Sequence, residues 1–220
     1  MKKSLLLAAS LLLSFISHIT QAQSLFNSFE PGSYIPAGNP TQRVEGSLKL
    51  RGCTELLVKT GNGKTKKLGL DDVQSFRLGS QQFIKAGGFP VDKGLDGDTI
   101  DQAFVEQVDS GQVVLMRLHY IVAGPAMVGA TGVPTGGNRS YELYLLRKAG
   151  ETTITPLPAS SLTGSGKKFR EALLPYLAGR SDLTKLVTDK LITIENLPKL
   201  IHALNSGATD GPVSSPTTTN

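Results

Sequence analysis

The chain has 220 residues, 23 Lys and Arg against 18 Asp and Glu, a formal charge of +5, one Cys and no Trp. One Cys excludes an intrachain disulfide framework. A charge this mild does not make the basic stripe of a nucleic-acid binder, and beyond the first segment no apolar run approaches the ~20 residues of a spanning helix.

Residues 1–22 read as an export signal. Lys2 and Lys3 precede the apolar run 5–16, polarity returns at Ser17, and Thr20, Gln21 and Ala22 predict a cut between Ala22 and Gln23. The run is too short to anchor the chain as a helix. A lipid anchor needs a Cys directly after it, and the single Cys53 lies far downstream. Export places the chain in the periplasm or outside the cell, and cleavage removes two of the positive charges. The remaining excess suggests acidic surface glycans or lipid head groups as partners rather than nucleic acid. Without disulfides stability must come from burial, and Cys53 reads as a small buried hydrophobe.

Residues 23–42 form a loop-like N-terminal arm, with Phe26, Phe29, Tyr34 and Ile35 among Pro31, Gly32, Pro36 and Gly38. Residues 43–158 carry strand and turn signals. Val44, Gly46, Leu48 and Leu50 alternate with polar residues, and Asn62 and Gly63 mark a hairpin. The Asp-rich segment 91–101 reads as a loop. Residues 103–108 and 112–122 make the clearest hairpin, joined by Asp109, Ser110 and Gly111. In its second strand Val114, Met116, Leu118 and Tyr120 form an apolar core face, which leaves Arg117 and His119 on the solvent side. Residues 123–139 are Gly-rich and aperiodic, a long loop within the β region.

Residues 159–166 are a linker by composition, followed by a helical cap at 167–205. Phe169, Leu173 and Leu177 share a face that Pro175 limits. Ser181 or Asp182 caps a second helix. Thr193 caps a third, with Leu197, Leu200, Ile201 and Leu204 as its stripe and Gly207 as its stop. Residues 206–220 carry too little apolar content to order themselves. The fold expected is α+β: an antiparallel sheet or partly closed β-barrel followed by a short C-terminal helical cap.

Few residues converge on chemistry. Gly63, Lys64 and Thr65 resemble the end of a phosphate loop, but the required earlier Gly is Val58 and the context is strand–turn–strand. Asp92, Asp96, Asp98 and Asp101 could hold calcium, yet the EF-hand spacing fails and the oxygens fall short of the 6–8 that calcium takes. Beyond the leader the only His are His119 and His202, too few for a His-based metal site, and no nucleophile elbow is present. Lys59, Lys64, Lys66 and Lys67 with Arg51 read as a charged sheet edge that resists association.

Several stretches together resemble a group of exported β-rich proteins of Bacteroidota with a C-terminal helical segment. They are residues 29–35 with Pro31 and Gly32, 44–50 with Gly46, 104–120 with its tight turn, 141–150 and 168–205. Residues 123–139 and 206–220 depart from that pattern. The resemblance implies export and general architecture and assigns no catalytic or binding residue. Asp98, Thr99 and Ile100 resemble the short O-glycosylation acceptor of exported proteins in that phylum.

The leading expectation is a non-enzymatic cell-envelope or secreted binding or structural module, with a surface glycan or an envelope protein as partner and no cofactor. The alternatives are a secreted hydrolase acting on glycan or peptide and a calcium-dependent adhesion or lectin-like domain.

Overall fold

The computed structural model describes residues 28–92, 97–122, 127–128, 134–135, 139–158 and 165–207. The leader, its Ala22–Gln23 junction, Asp96, most of the Gly-rich segment and residues 208–220 lie outside the described residues. The first half contains β1 (Glu30–Pro36), β2 (Val44–Arg51), β3 (Glu55–Lys59), β4 (Thr65–Leu68), β5 (Val73–Leu78), β6 (Gln81–Ala86), β7 (Phe89–Asp92) and β8 (Gly97–Ile100). Then come β9 (Ala103–Asp109), β10 (Val113–Val122), the two-residue strands β11 (Met127–Val128) and β12 (Pro134–Thr135), β13 (Arg139–Lys148) and β14 (Thr155–Leu157). The helical end is α1 (Ser165–Leu173), a 3-10 turn (Leu174–Leu177), α2 (Ser181–Thr188) and α3 (Leu197–Ser206).

Ten strands form one open antiparallel sheet in the order β14-β13-β10-β9-β6-β5-β1-β2-β3-β4, so the expected α+β architecture is the one observed. The sheet curls until the β2–β3 turn reaches β9, where the Phe104 N–H donates to the Cys53 carbonyl at 2.7 Å. Inside the curl lie Leu48, Leu50, Leu56, Val58, Phe76, Phe83 and Phe104. Phe76 stacks on Phe83 at 4.7 Å and meets Phe104 edge-on at 5.1 Å, a geometry aromatic pairs favour.

The N-terminal arm is corrected. Glu30–Pro36 is not loop; it is an interior strand, paired with β2 on one side and β5 on the other. Its Gly allows close packing, because a Cβ on Gly32 would stand 2.2 Å from the Arg77 carbonyl oxygen. Pro36 falls at the strand end, where the register to β5 shifts, a place that tolerates the missing N–H.

The 91–101 loop is corrected too. Phe89–Asp92 pairs with Gly97–Ile100 as a hairpin. Phe89 and Val91 are buried and join Ala103, Val105, Met116 and Leu118 in a second core. The alternation Phe89, Pro90, Val91, Asp92 is a period of two that the surrounding Asp and Gly residues obscure. Residues 127–128 and 134–135 likewise pair as a minimal ladder within the segment read as loop.

The single core face assigned to β10 is the third correction. Val114, Met116 and Leu118 do face a core, but Val113 and Leu115 are buried on the other side. There the helical end packs over them through Phe169, Leu173, Leu177, Leu183, Val187, Leu197, Leu200, Ile201 and Leu204. Short helices gain most of their stability from such packing. The caps differ from expectation. Arg180 and Asn196 occupy the N-cap positions of α2 and α3 without a side-chain cap hydrogen bond. Asp182 instead accepts from Arg180 Nε at 3.0 Å and Nη2 at 2.7 Å. The Thr193 N–H donates to Asn196 Oδ1 at 2.7 Å. Gly207 ends α3 in the left-handed conformation, φ 70°, as a C-terminal Gly should.

The end of α3 is stitched to the β9–β10 hairpin. Asn205 imitates a neighbouring strand: its Oδ1 accepts from the Val113 N–H at 3.0 Å and its Nδ2 donates to the Val113 carbonyl at 2.8 Å. Gln112 Nε2 donates to the Leu204 carbonyl at 2.8 Å. Gly111 makes room for this, since a Cβ there would lie 2.6 Å from Asn205 Cγ. Among the described residues no helix is long and apolar enough to cross a membrane.

Candidate functional site: a polar cleft beside a charge cluster

Strand register gathers four ionisable residues on the face that carries Leu115, just past the helical cover. Arg117 stands opposite Glu106 on β9 and Tyr144 on β13, and His119 stands opposite Glu142. Glu106 Oε2 accepts from Arg117 Nε at 2.9 Å, and Arg117 Nη2 lies 2.8 Å from the same oxygen. Glu106 Oε1 accepts from Gln81 Nε2 at 3.0 Å. His119 bridges the two carboxylates, with Nε2 at 3.2 Å from Glu106 and Nδ1 at 3.3 Å from Glu142. Among the described residues no buried side-chain polar atom lacks a partner.

His119 is therefore not the solvent-facing residue that alternation implied; it is 4% exposed. Both ring nitrogens face carboxylate oxygens, an arrangement that only the doubly protonated imidazolium satisfies as a donor at each end. Burial opposes that charge, but the hydrogen bonds to Glu106 and Glu142 outweigh it and raise the ring's pKa above 6.5. Burial also opposes ionisation of Glu106, and the hydrogen bond from His119 with the charge of Arg117 turns the balance, lowering its pKa below 4.5. The His119 hydrogen bond likewise lowers Glu142. Two carboxylates, one guanidinium and one imidazolium leave the cluster neutral.

One member of the cluster, Glu106, also lines a cleft. Pairing of β6 with β9 ends at Gln82–Gln107. At that end the tips of the β5–β6 and β9–β10 hairpins border a cavity of about 480 Å³, lined by Arg77, Gln81, Gln82, Glu106, Gln107 and Asp109, with Ser80 and Ser110 at the tips. Asp109 is fully engaged: Oδ2 meets His202 Nδ1 at 2.8 Å and Oδ1 accepts from Asn205 Nδ2 at 2.7 Å. His202 is on the open surface of α3, its side chain 73% exposed.

The other sequence candidates do not join this site. Asp92 pairs through its backbone with Gly97, Asp98 Oδ1 accepts from the Thr99 N–H at 2.9 Å, and Asp101 is exposed in the turn before β9. Among the described residues no group of three His, Cys, Asp or Glu is placed to hold a metal ion. Gly63, Lys64 and Thr65 lie on the β3–β4 hairpin with no helix to cradle a phosphate. Lys67 pairs with Glu55, and Lys59 sits 4.5 Å from the centre of the Phe29 ring. Cys53 lies in the β2–β3 turn and is half-buried rather than buried, packed against the second core.

Sequence reasoning missed Glu106 and Glu142. The signal for Glu106 was a carboxylate directly after Ala103, Phe104 and Val105, a strand too apolar to leave a charge unpaired. No protein-family model, curated protein or solved structure matches the chain.

Proposed function

We propose that the protein is an exported, non-enzymatic binding module of the cell envelope or its exterior, and that a polar glycan seats in the cleft between the β5–β6 and β9–β10 hairpins. The leader at residues 1–22 motivates export. The observation that carries the binding reading is the cleft lining, in which amides, hydroxyls and charged groups surround a single apolar residue, Val108. Such a wall hydrogen-bonds a sugar and offers little to an apolar ligand.

The charge cluster argues against acid–base catalysis by His119. Its nitrogens are engaged by Glu106 and Glu142, and general acid–base work requires a group within reach of the substrate's proton. Arg117 and His119 instead hold Glu106, the one cluster residue that lines the cleft. A glycan array of the wild-type protein tests the reading together with Ser110→Trp, which places a large ring at the cleft mouth. Binding to one glycan class that the variant loses supports it. A silent array, or hits that Ser110→Trp leaves unchanged, rejects the cleft.

A hydrolase is the second reading, favoured by the Asp109–His202 pair, whose geometry orients an imidazole through Nδ1 and leaves Nε2 outward. Release of reducing sugar or peptide that His202→Gln abolishes would replace the binding reading with it.

A further inference from the structure

We infer that the cleft selects a carboxylate-bearing sugar, with Arg77 as the residue that determines specificity. This rests on the glycan-binding reading and deepens it. Three of the lining residues carry charge: Arg77, Glu106 and Asp109. Glu106 is engaged by Arg117, His119 and Gln81, and Asp109 by His202 and Asn205. The acidity of Glu106 is directed into the protein, and that of Asp109 toward α3. Arg77 is different. Its Nε donates to Gln82 Oε1 at 3.0 Å, which orients the guanidinium, while its two terminal amino groups have no partner among the described residues. Those two groups form the fork that takes a carboxylate through two parallel bonds.

The remaining functions suit a sugar. The Gln107 amide and the hydroxyls of Ser80 and Ser110 line the same space, and they can serve ring hydroxyls as donors and acceptors. A peptide carboxylate is the competing source, but recognition of extended peptides draws on a free sheet edge and apolar side-chain pockets. The three strands that line this cleft, β5, β6 and β9, are all interior to the sheet, and among the described residues Val108 is the lone apolar one in its lining.

The test is an amide chemical-shift titration of the ¹⁵N-labelled protein with trigalacturonate, with its uncharged counterpart galactotriose, and with a short peptide as free acid and as amide. The expected result is saturable shifts at Ser80, Gln107 and Ser110 with trigalacturonate. Galactotriose binds at least about tenfold more weakly, the scale of a lost charge-assisted hydrogen bond. Arg77→Gln removes that preference, and Arg77→Lys, which keeps charge without the fork, restores only part of it. Arg77 is exposed, and an unchanged melting temperature shows that the variants fold. Equal binding of the two sugars, or a preference that survives Arg77→Gln, overturns the inference and leaves the glycan reading standing. Binding of the peptide acid but not its amide, with no response to either sugar, overturns both. No shift at the cleft with any probe also sinks both.

Discussion

Replacing His119 with Gln keeps most of the volume of a 4%-exposed side chain and removes its charge. The loss is two charge-assisted contacts, at 3.2 Å to Glu106 and 3.3 Å to Glu142. Hydrogen bonds to charged groups contribute ~1.5–3 kcal/mol each. The Glu142 contact is discounted because that side chain is 42% exposed and solvent screens it. Glu106 keeps Arg117 and Gln81, so the wild-type advantage near pH 6 comes to about 2–3 kcal/mol. Its pH dependence is the sharper prediction. The His119 pKa is raised above 6.5 in the fold, so its contribution is complete below that value and is lost as pH rises through the folded pKa. The Glu106 pKa is lowered below 4.5, so that contribution is complete above 4.5 and is lost as pH falls through its folded pKa. Urea denaturation of wild type and His119→Gln from pH 4 to 9 should give the largest gap between these limits and a narrowing gap above pH 7. A gap that stays constant from pH 5 to 9 would refute the charged, bridging imidazole.

Other perturbations follow from the same contacts. Asn205→Ala strips Val113, which is 2% exposed, of the partners of its N–H and carbonyl; chemical denaturation should show a loss of about 2–4 kcal/mol, since buried unsatisfied groups cost ~1–3 kcal/mol each. Gly32→Ala drives a methyl into the Arg77 carbonyl and should cost ~1–3 kcal/mol or more, at the upper end of overpacking, read as a lower melting temperature. If the ligand site is the cleft, as proposed, calcium should leave the melting temperature unchanged; a shift equivalent to ~2.7 kcal/mol at 100 times Kd, lost in Asp98→Asn, would favour the adhesion reading instead. Mass spectrometry of the protein recovered from the periplasm or medium should find Gln23 as its first residue, and a first residue in the interior of the leader would contradict the cleavage assignment.

The fold was legible where hydrophobic period and turn chemistry agreed. The hairpin around Asp109, Ser110 and Gly111, and the α3 stripe ending at Gly207, are both present as read. It was obscured where composition and geometry point different ways. Pro31, Gly32 and Pro36 say loop, yet Gly32 is what lets β1 fit between β2 and β5. Alternation along β10 assigned solvent to His119 because local pattern cannot report that a sheet is covered on both faces. The site was least legible. Glu106, Arg117 and Glu142 come from three strands, and only the register between β9, β10 and β13 brings them to His119. Arg77 and Gln107 flank Gln82 of β6 on its two sides, a neighbour relation that no spacing in the chain reveals.

The most direct test of the binding assignment is a crystal structure of the protein soaked with the tightest hit from the glycan array. The ligand is expected between Arg77 and Gln107, beneath the hairpin tips at Ser80 and Ser110, with the Glu106–Arg117–His119 contacts intact. Density that instead lies over the exposed ring of Tyr141, stacked 5.5 Å from Tyr120 at the far end of β10 and β13, would contradict it.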